Sequence, residues 1–193
     1  KAANLAKKFD FDYWDGDRRI CYGGYTYIPG RWSKLAYDLI QFYKLDENSK
    51  ILDIGCGKGF LLYEMIKLKP SLEVYGLDIS DYAISNSKKE ISHNLIKGNA
   101  NSLPYESSYF DLVISINTLH CLKCIDLEKS LIEMQRVGKK NKYLCVESFR
   151  NEEEKANLLY WQVTCEAFHD PDSWKWWFDK TGYDGDYSFI YFE

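Results

Sequence analysis

The chain alternates short apolar runs with longer segments in which apolar residues recur every three or four positions. Such runs are typical of strands buried in a parallel sheet, and such periodic segments are typical of helices that cover a sheet with one face. The alternation predicts one α/β domain over residues 1–193 that has a mostly parallel sheet and helices on both faces. Strands are predicted within residues 51–54, 73–80, 95–104, 110–120, 142–148 and 182–192, and helices within 30–44, 82–90, 126–137 and 171–180.

Three alternating glycines follow the first predicted strand. The stretch Asp53-Ile54-Gly55-Cys56-Gly57-Lys58-Gly59 places an acidic residue before a turn that leads into a helix. Glycine tolerates positive φ and has no Cβ, so a ligand can lie directly against such a turn. The spacing is Gly-x-Gly-x-Gly, whereas a dinucleotide fingerprint is Gly-x-Gly-x-x-Gly. The turn therefore predicts a site for a cofactor that contains a nucleoside.

Polar residues also follow the second and third predicted strands. Asp78 comes about 20 residues after the turn, where a carboxylate can accept hydrogen bonds from both hydroxyls of a ribose. Asp78 could instead cap the helix that begins near Tyr82. Both interpretations hold together if Asp81 is the cap and Asp78 binds the ribose. Asn99 follows the third strand and could accept a hydrogen bond from an adenine amino group, although Asn is also a common turn residue.

The glycine turn, Asp78, Asn99 and the apolar fourth strand together resemble the class I S-adenosylmethionine-dependent methyltransferases. The resemblance implies a Rossmann-like sandwich with an antiparallel C-terminal strand, S-adenosylmethionine as cofactor and S-adenosylhomocysteine as product. The cofactor-binding residues that it implies are Asp53, Gly55, Gly57, Asp78, Ile79, Asn99, Ala100 and Asn117. Asn99 stands where the family usually has Asp. No Asn/Asp-Pro-Pro-aromatic signature follows the fourth strand, which disfavours methylation of DNA adenine or protein glutamine.

Residues 1–30 form a predicted N-terminal arm that is rich in rings and cations. One interpretation is a lid over the active site, in which aromatic rings exclude water and phenols or guanidinium groups grip an anionic acceptor. The other is that the rings only dock the arm on the core while the charges face solvent. The candidate substrate-binding residues are Tyr25, Tyr27, Arg31 and His169, and Arg31 is also a candidate for the cofactor carboxylate.

Two residues at strand exits are the candidates for direct chemistry. His120 follows the fourth strand and Glu147 ends the fifth, so both belong at the edge of a parallel sheet where ligands bind. His120 could act as a general base near neutral pH, or it could be a hydrogen-bonded residue at a helix start. Glu147 could orient an amine or a hydroxyl, or it could only pair with Arg150.

Composition narrows the class of protein. The formal net charge is -4, which argues against binding a nucleic-acid backbone. No apolar run approaches the ~20 residues of a membrane span, and no signal-peptide pattern is present. The six cysteines are typical of thiols in a cytoplasmic protein. The Cys121-Leu-Lys-Cys124 pair lacks a second pair of ligands, so no metal site is predicted.

Several stretches outside the core motifs resemble small methyltransferases of bacterial surface-polysaccharide pathways. Among these pathways, the one that makes capsular O-methyl phosphoramidate would supply an anionic acceptor that suits a cationic, phenol-rich arm. The resemblance thus implies O-methylation of a small polar or anionic acceptor. The alternatives are an O- or N-methyltransferase that acts on a sugar or another small molecule, a non-catalytic methyltransferase-like partner subunit, and an NAD-dependent oxidoreductase. A homodimer or a pairing with a methyltransferase-like subunit is a further expectation.

Overall fold

A computed structural model describes residues 2–193 and confirms the Rossmann-like α/β fold. Six strands form one sheet. The strands are β1 (Lys50–Ile54), β2 (Glu73–Asp78), β3 (Leu95–Lys97), β4 (Phe110–Ile116), β5 (Gly138–Glu147) and β6 (Asp186–Ile190). The helices are α1 (Ala2–Ala6), α2 (Phe11–Trp14), α3 (Ser33–Phe42), α4 (Phe60–Leu68), α5 (Asp81–Ser85), α6 (Cys124–Val137), α7 (Glu152–Trp161) and α8 (Pro171–Thr181).

The strand order is β3-β2-β1-β4-β5-β6, and every neighbouring pair is parallel. The prediction of an antiparallel C-terminal strand is therefore wrong. After β5 the chain returns through α7 and α8 before it enters β6, and a connection that crosses back through helices brings the next strand in parallel. In this register Tyr143 lies beside Asp186 and Glu147 beside Ile190.

Helices cover both faces of the sheet, as the apolar periodicity predicts. On one face Ile51 and Ile114 pack in a buried cluster with residues of α3 and α4. On the other face Leu52 and Val113 pack in a second cluster with residues of α6 and α8, among them the fully buried Trp174. Neighbouring residues of a strand point to opposite faces, so each central strand contributes to both clusters.

The boundaries differ most from the prediction at two places. The helix after β2 ends at Ser85 instead of extending to residue 90, and its N-cap is Ser80, whose hydroxyl accepts a hydrogen bond from the Ala83 N–H at 3.0 Å. Asp81 is thus the first helical residue and not the cap. β5 begins at Gly138, four residues before the predicted strand, because its first residues pair with the start of β4. Within residues 2–193, no helix is long and apolar enough to cross a bilayer.

Candidate functional site

A cavity of about 380 Å³ opens at the carboxyl ends of β1, β2, β3 and β4. This volume is within the range of small-molecule sites, and the place is the switch point of an open parallel sheet. Its core-side wall includes all eight residues that the resemblance assigns to the cofactor, namely Asp53, Gly55, Gly57, Asp78, Ile79, Asn99, Ala100 and Asn117. The opposite wall consists mostly of aromatic residues from the arm and from the start of α4.

The glycine turn needs glycine for space as well as for backbone conformation. Gly55, Gly57 and Gly59 have φ angles of 81°, 55° and 73°. A Cβ on Gly55 would lie 2.0 Å from the Thr118 hydroxyl, and a Cβ on Gly57 would lie 2.9 Å from the ring of Trp14. The turn can therefore pass between the exit of β4 and the arm only because these side chains are absent.

Two buried carboxylates face the cavity. Burial, with the nearby Asp78 carboxylate as the smaller cause, raises the pKa of Asp53 to about 7. Burial also raises the pKa of Asp78, although its oxygens accept hydrogen bonds from the Gly57 and Ser80 N–H groups, each at 2.8 Å. Across residues 2–193, Asp53 has no side-chain hydrogen bond or ion pair. The pair therefore favours a ligand that carries positive charge or several hydrogen-bond donors.

The remaining cofactor candidates lie along the same rim. Ile79 is half exposed and Ala100 is buried, so they offer apolar surface for a planar group. The Asn99 side-chain oxygen accepts a hydrogen bond from the Asn101 N–H at 3.3 Å, so Asn99 is also a turn residue. A carbonyl oxygen has two lone pairs, so this bond leaves room for a second donor. Asn117 has a φ of 55° at the exit of β4, where its N–H donates to the Cys145 carbonyl.

The arm covers the cavity with a connected set of rings. Trp14 is 7% exposed and stacks on Tyr22, with ring centroids 5.7 Å apart. Tyr25 stacks on Phe60 at 5.2 Å and contacts the Trp14 ring at 5.1 Å. Phe9 and Tyr13 continue this set, and all six residues line the cavity. The arm is therefore packed on the core, and the same packing forms the wall of the cavity.

Of the cationic residues in and beside the arm, Arg31 lines the cavity, and it is exposed. Arg18 donates to the Cys21 carbonyl, Arg19 pairs with Asp17, and Lys34 pairs with Asp38 at 2.6 Å. Of the guanidinium groups that are expected to grip an anionic acceptor, the one that lines the cavity is therefore that of Arg31.

Two predicted substrate residues lie away from the cavity wall. The Tyr27 hydroxyl donates to the buried Glu64 carboxylate, which anchors the end of the arm on α4. The His169 Nε2 accepts a hydrogen bond from the Trp177 indole N–H at 2.9 Å. The structure therefore places Tyr25 and Arg31 at the cavity, but not Tyr27 and His169.

His120 and Glu147 meet each other but do not line the cavity. The His120 Nε2 lies 3.3 Å from the Glu147 Oε2, and both side chains are 2% exposed. The contact is not aligned as a hydrogen bond, so the Glu147 Oε2 has no hydrogen-bond partner. The other His120 nitrogen, Nδ1, accepts from the Glu147 N–H at 3.4 Å, which places the proton of a neutral ring on Nε2. Gln162 donates to the other Glu147 oxygen.

Burial sets the ionisation of this pair. It lowers the pKa of His120 to about 4 and raises the pKa of Glu147 to about 7, while the Gln162 hydrogen bond acts in the opposite direction on Glu147. Both residues lie at the carboxyl ends of β4 and β5, but neither lines the cavity, and their catalytic roles stay a prediction. The exit of β4 continues into a one-turn helix, Leu119–Cys121, that turns the His120 ring towards β5.

Sequence reasoning missed several residues that shape the site. Thr118 fills the space beside Gly55, Lys58 bonds to the arm, and Ser80 accepts from the Trp14 indole. Only the position of Lys58 between two glycines could have drawn attention to it. Across the described residues, no group of three or more His, Cys, Asp or Glu side chains could hold a metal ion.

The structure is that of an α/β protein with a parallel sheet and a cavity at the carboxyl ends of its strands, where folds of this kind bind their ligands. Comparison with known families gives the particular class, because a model described as a methyltransferase domain matches residues 45–182. The chain therefore belongs to this methyltransferase family.

Curated relatives agree with this family. The chain is 32% identical over 67% of its length to the tRNA (carboxymethyluridine(34)-5-O)-methyltransferase of Arabidopsis thaliana. It is 27% identical over 44% of its length to the malonyl-[acyl-carrier protein] O-methyltransferase of Legionella pneumophila. The matches span 30% and 31% of these two relatives.

Solved structures support the fold. The Bacillus subtilis YcgJ protein superposes with a TM-score of 0.61 at 19% identity, covering 76% of this chain and 66% of that one. A Haloferax volcanii methyltransferase-like chain, in a complex with the Trm112 methyltransferase activator, gives 0.60 at 17% identity and covers 80% and 77% of the two chains. At these identities the likeness concerns the fold alone.

Proposed function

We propose that this protein transfers a methyl group from S-adenosylmethionine to a small acceptor bound beneath the arm. The observation that carries the proposal is the pair of buried carboxylates, Asp53 and Asp78, on one cavity wall behind the glycine turn. S-adenosylmethionine carries a sulfonium and an ammonium group as well as a ribose, so it offers the positive charge and the donors that these carboxylates favour. The match of the methyltransferase-domain model supports the same cofactor.

Each part of the wall has a role in this proposal. Asp78 would accept hydrogen bonds from the ribose, Asp53 would face positive charge, and Ile79, Asn99 and Ala100 would border the adenine. The glycines at 55 and 57 would let the cofactor lie against the backbone. The cofactor supplies an activated methyl group on its sulfonium. The rings of the arm would exclude water and align the acceptor, which is what a displacement at a methyl group requires.

The acceptor is proposed to be small and polar and to bear one anionic group. Arg31 supports this choice because it is the cavity-lining cation of the arm region, and Tyr25 is beside it on the same wall. An acceptor oxygen that is already ionised, such as that of a phosphoramidate, needs alignment but no base. O-methylation in a capsule or surface-polysaccharide pathway remains the narrower form of the proposal, and it rests on sequence resemblance and charge.

His120 and Glu147 keep their proposed roles only for an acceptor that carries a proton. In that case a rearrangement of the turn at Leu119–Cys121 would be needed to bring His120 to the cavity, since both side chains are buried behind it. An acceptor that is ionised on arrival fits the observed positions without any rearrangement.

The comparisons do not support the expectation that nucleic acid is excluded as a substrate. Curated relatives include the tRNA methyltransferase above and the ribosomal RNA small subunit methyltransferase C of Vibrio cholerae. The complex of a structural neighbour with an activator also makes a partner subunit worth testing. RNA and a partner protein therefore belong in the test beside small molecules.

The test is methyl transfer from S-adenosylmethionine labelled on its methyl group. The acceptors would be phosphoramidate-bearing saccharides, neutral sugars, malonyl-acyl-carrier protein and total RNA, each with and without a cell extract that can supply a partner. We expect label in a phosphoramidate acceptor. Label in a neutral sugar or in RNA alone would overturn the anionic acceptor, and no binding of S-adenosylhomocysteine would overturn the cofactor.

A further inference from the structure

The arm is bonded to the glycine turn through a buried ion pair. The Lys58 ammonium, between Gly57 and Gly59, lies 2.6 Å from the Asp15 Oδ2, and only 5% of the Lys58 side chain is exposed. Lys58 also donates to the Tyr25 carbonyl at 2.9 Å. A cation of the cofactor turn is thus enclosed by two separate positions of the arm.

Asp15 gathers further donors around the same carboxylate. Its Oδ2 accepts from the Tyr82 hydroxyl at 2.8 Å, and its Oδ1 accepts from the Tyr25 N–H at 2.9 Å. Burial acts to raise the pKa of Asp15, but these hydrogen bonds and the one from Lys58 outweigh it and lower the pKa. Asp15 is therefore held as an anion that joins two positions of the arm to the turn and to α5.

A second set of contacts reaches the loop after β2. The Trp14 indole N–H donates to the Ser80 hydroxyl at 2.9 Å and to the Phe9 carbonyl at 3.1 Å. The Ser80 N–H in turn donates to Asp78 at 2.8 Å, and the Trp14 ring covers Gly57. The arm thus contacts two of the four loops that carry cofactor candidates, namely the glycine turn and the loop after β2.

We propose that Asp15 and Lys58 are positioning residues that fasten the arm to the cofactor turn and so set the aromatic wall of the acceptor site. The inference rests on the proposed function for the identity of the ligand, but the ion pair joins two residues of this chain and can be tested without any ligand. Because the arm and the cofactor would share the turn, a ligand that orders the turn also stabilises the fastened arm. The coupling is reciprocal, so the fastened arm tightens the binding of the ligand.

Hydrogen exchange of the arm, followed by mass spectrometry on ligand-free protein, tests the ion pair directly. We expect Asp15→Asn and Lys58→Met to speed exchange in residues 10–25 by about tenfold, as for a coupling of ordinary size. Asp17→Asn is the matched control, because it makes the same change in the same arm where the partner is the 89% exposed Arg19. The effects of the two substitutions should not be additive in the double variant Asp15→Asn/Lys58→Met, since each of them removes the same ion pair.

Rescue and ligand binding separate positioning from general loss of structure. Lys58→Arg keeps the charge, so its arm should exchange at a rate within about threefold of the wild type. This difference is smaller than the roughly tenfold effect expected for Lys58→Met. S-adenosylhomocysteine, measured by calorimetry, should bind Asp15→Asn about 5- to 20-fold more weakly than it binds Asp17→Asn. It should also slow arm exchange in the wild type more than in Asp15→Asn.

The outcomes are distinguishable. Equal arm exchange in ligand-free Asp15→Asn and Asp17→Asn would overturn the inference, whatever binds in the cavity. Faster exchange throughout the sheet in both Asp15→Asn and Lys58→Met, with an arm that exchanges no faster than the sheet, would also overturn it, because the pair would then stabilise the whole domain. Failure of the wild type to bind S-adenosylhomocysteine would overturn the proposed function and leave the ligand-free comparison intact.

Discussion

At the scale of single residues, the site is defined by two carboxylates that the fold keeps out of water. Asp53 ends β1 and Asp78 ends β2, so parallel pairing of these strands brings both to one wall of the cavity. Each raises the cost of ionising the other in a buried setting. A cation bound between them would remove that cost, so affinity for a cationic ligand depends on whether Asp53 is ionised.

This dependence predicts a pH effect on cofactor affinity. The pKa of Asp53 is about 7 in the ligand-free protein, and positive charge beside it lowers that pKa. Binding therefore releases a proton below about pH 7, and affinity rises with pH. We expect S-adenosylmethionine to bind about tenfold more tightly at pH 8 than at pH 6 when measured by calorimetry. Asp53→Asn should bind more weakly and with little dependence on pH, and an unchanged slope in that variant would contradict the assignment.

The same raised pKa has a stability consequence. The folded ligand-free protein holds the Asp53 proton more tightly than the unfolded chain does. This contribution to the free energy of unfolding is full below the ordinary Asp pKa and is lost as pH rises through about 7. The melting temperature should therefore fall from pH 5 to pH 8 by a larger amount in the wild type than in Asp53→Asn. An equal fall in the two proteins would show that other groups, such as Glu147, dominate.

Asp78 allows a sharper test of the ribose role. Replacing it with Ala removes a charge-assisted acceptor, which is worth about 1.5–3 kcal/mol, so affinity for S-adenosylhomocysteine should fall about 10- to 150-fold. Asp81→Ala is the control, because Asp81 is 71% exposed and pairs with Lys97 at the surface. Similar losses of affinity in the two variants, measured by calorimetry, would indicate that the start of α5 matters more for binding than the Asp78 carboxylate does.

Sequence reasoning placed the candidate cofactor residues at the cavity better than it placed the candidate acceptor and catalytic residues. The glycine spacing and the acidic strand ends specify backbone positions, and backbone positions at strand exits are enough to place Asp53, Asp78 and Asn99 together. The acceptor end depends on side-chain direction. His120 follows a strand exit as predicted, but one helical turn rotates its ring into the core, and no local pattern in the sequence encodes that rotation.

At the scale of elements, the turn between β1 and α4 combines two constraints that one pair of variants can separate. Gly55 and Gly30 have almost the same φ, 81° and 83°, but a Cβ on Gly55 would meet Thr118 at 2.0 Å while a Cβ on Gly30 would meet nothing within 4 Å. Replacement of Gly30 thus measures backbone strain alone. Replacement of Gly55 measures the same strain together with the clash.

We expect Gly30→Ala to lower the free energy of unfolding by about 1 kcal/mol, which corresponds to about 2–4 °C in melting temperature for a chain of this size. Gly55→Ala should cost more than this and should also weaken binding of S-adenosylhomocysteine, because Thr118 and the turn must move apart. The measurements are thermal denaturation and calorimetry. Equal melting temperatures for the two variants would mean that Thr118 and the glycine turn move apart without a loss of stability.

Element order was predictable from the sequence, whereas the direction of the last strand was not. Apolar runs and periodic segments identify β1 to β5 and most of the helices that cover the sheet, since burial leaves a clear pattern, but no helix is predicted where α7 lies. The same pattern is compatible with either direction for β6. The connection through α7 and α8 sets the parallel direction of β6. The path of that connection depends on where the helices pack, which the local sequence pattern does not specify.

At the scale of the whole molecule, the fold alone does not choose the cofactor. The order β3-β2-β1-β4-β5-β6 with all strands parallel is also the order of dinucleotide-binding sheets, so an NAD-dependent oxidoreductase would share it. The glycine spacing and the match to the methyltransferase domain separate the two classes.

The increase in melting temperature on adding a ligand distinguishes a methyltransferase from an NAD-dependent oxidoreductase. A ligand that binds only the folded state at 100 times its Kd stabilises it by about 2.7 kcal/mol, or roughly 5–10 °C for a chain of this size. We expect S-adenosylhomocysteine to produce a shift of this order and NADH to produce none. Asp78→Ala should lose most of the shift at the same ligand concentration, which ties the effect to the cavity. A shift with NADH that Asp78→Ala abolishes would contradict the methyltransferase proposal, because Asp78 would then be serving the ribose of a dinucleotide.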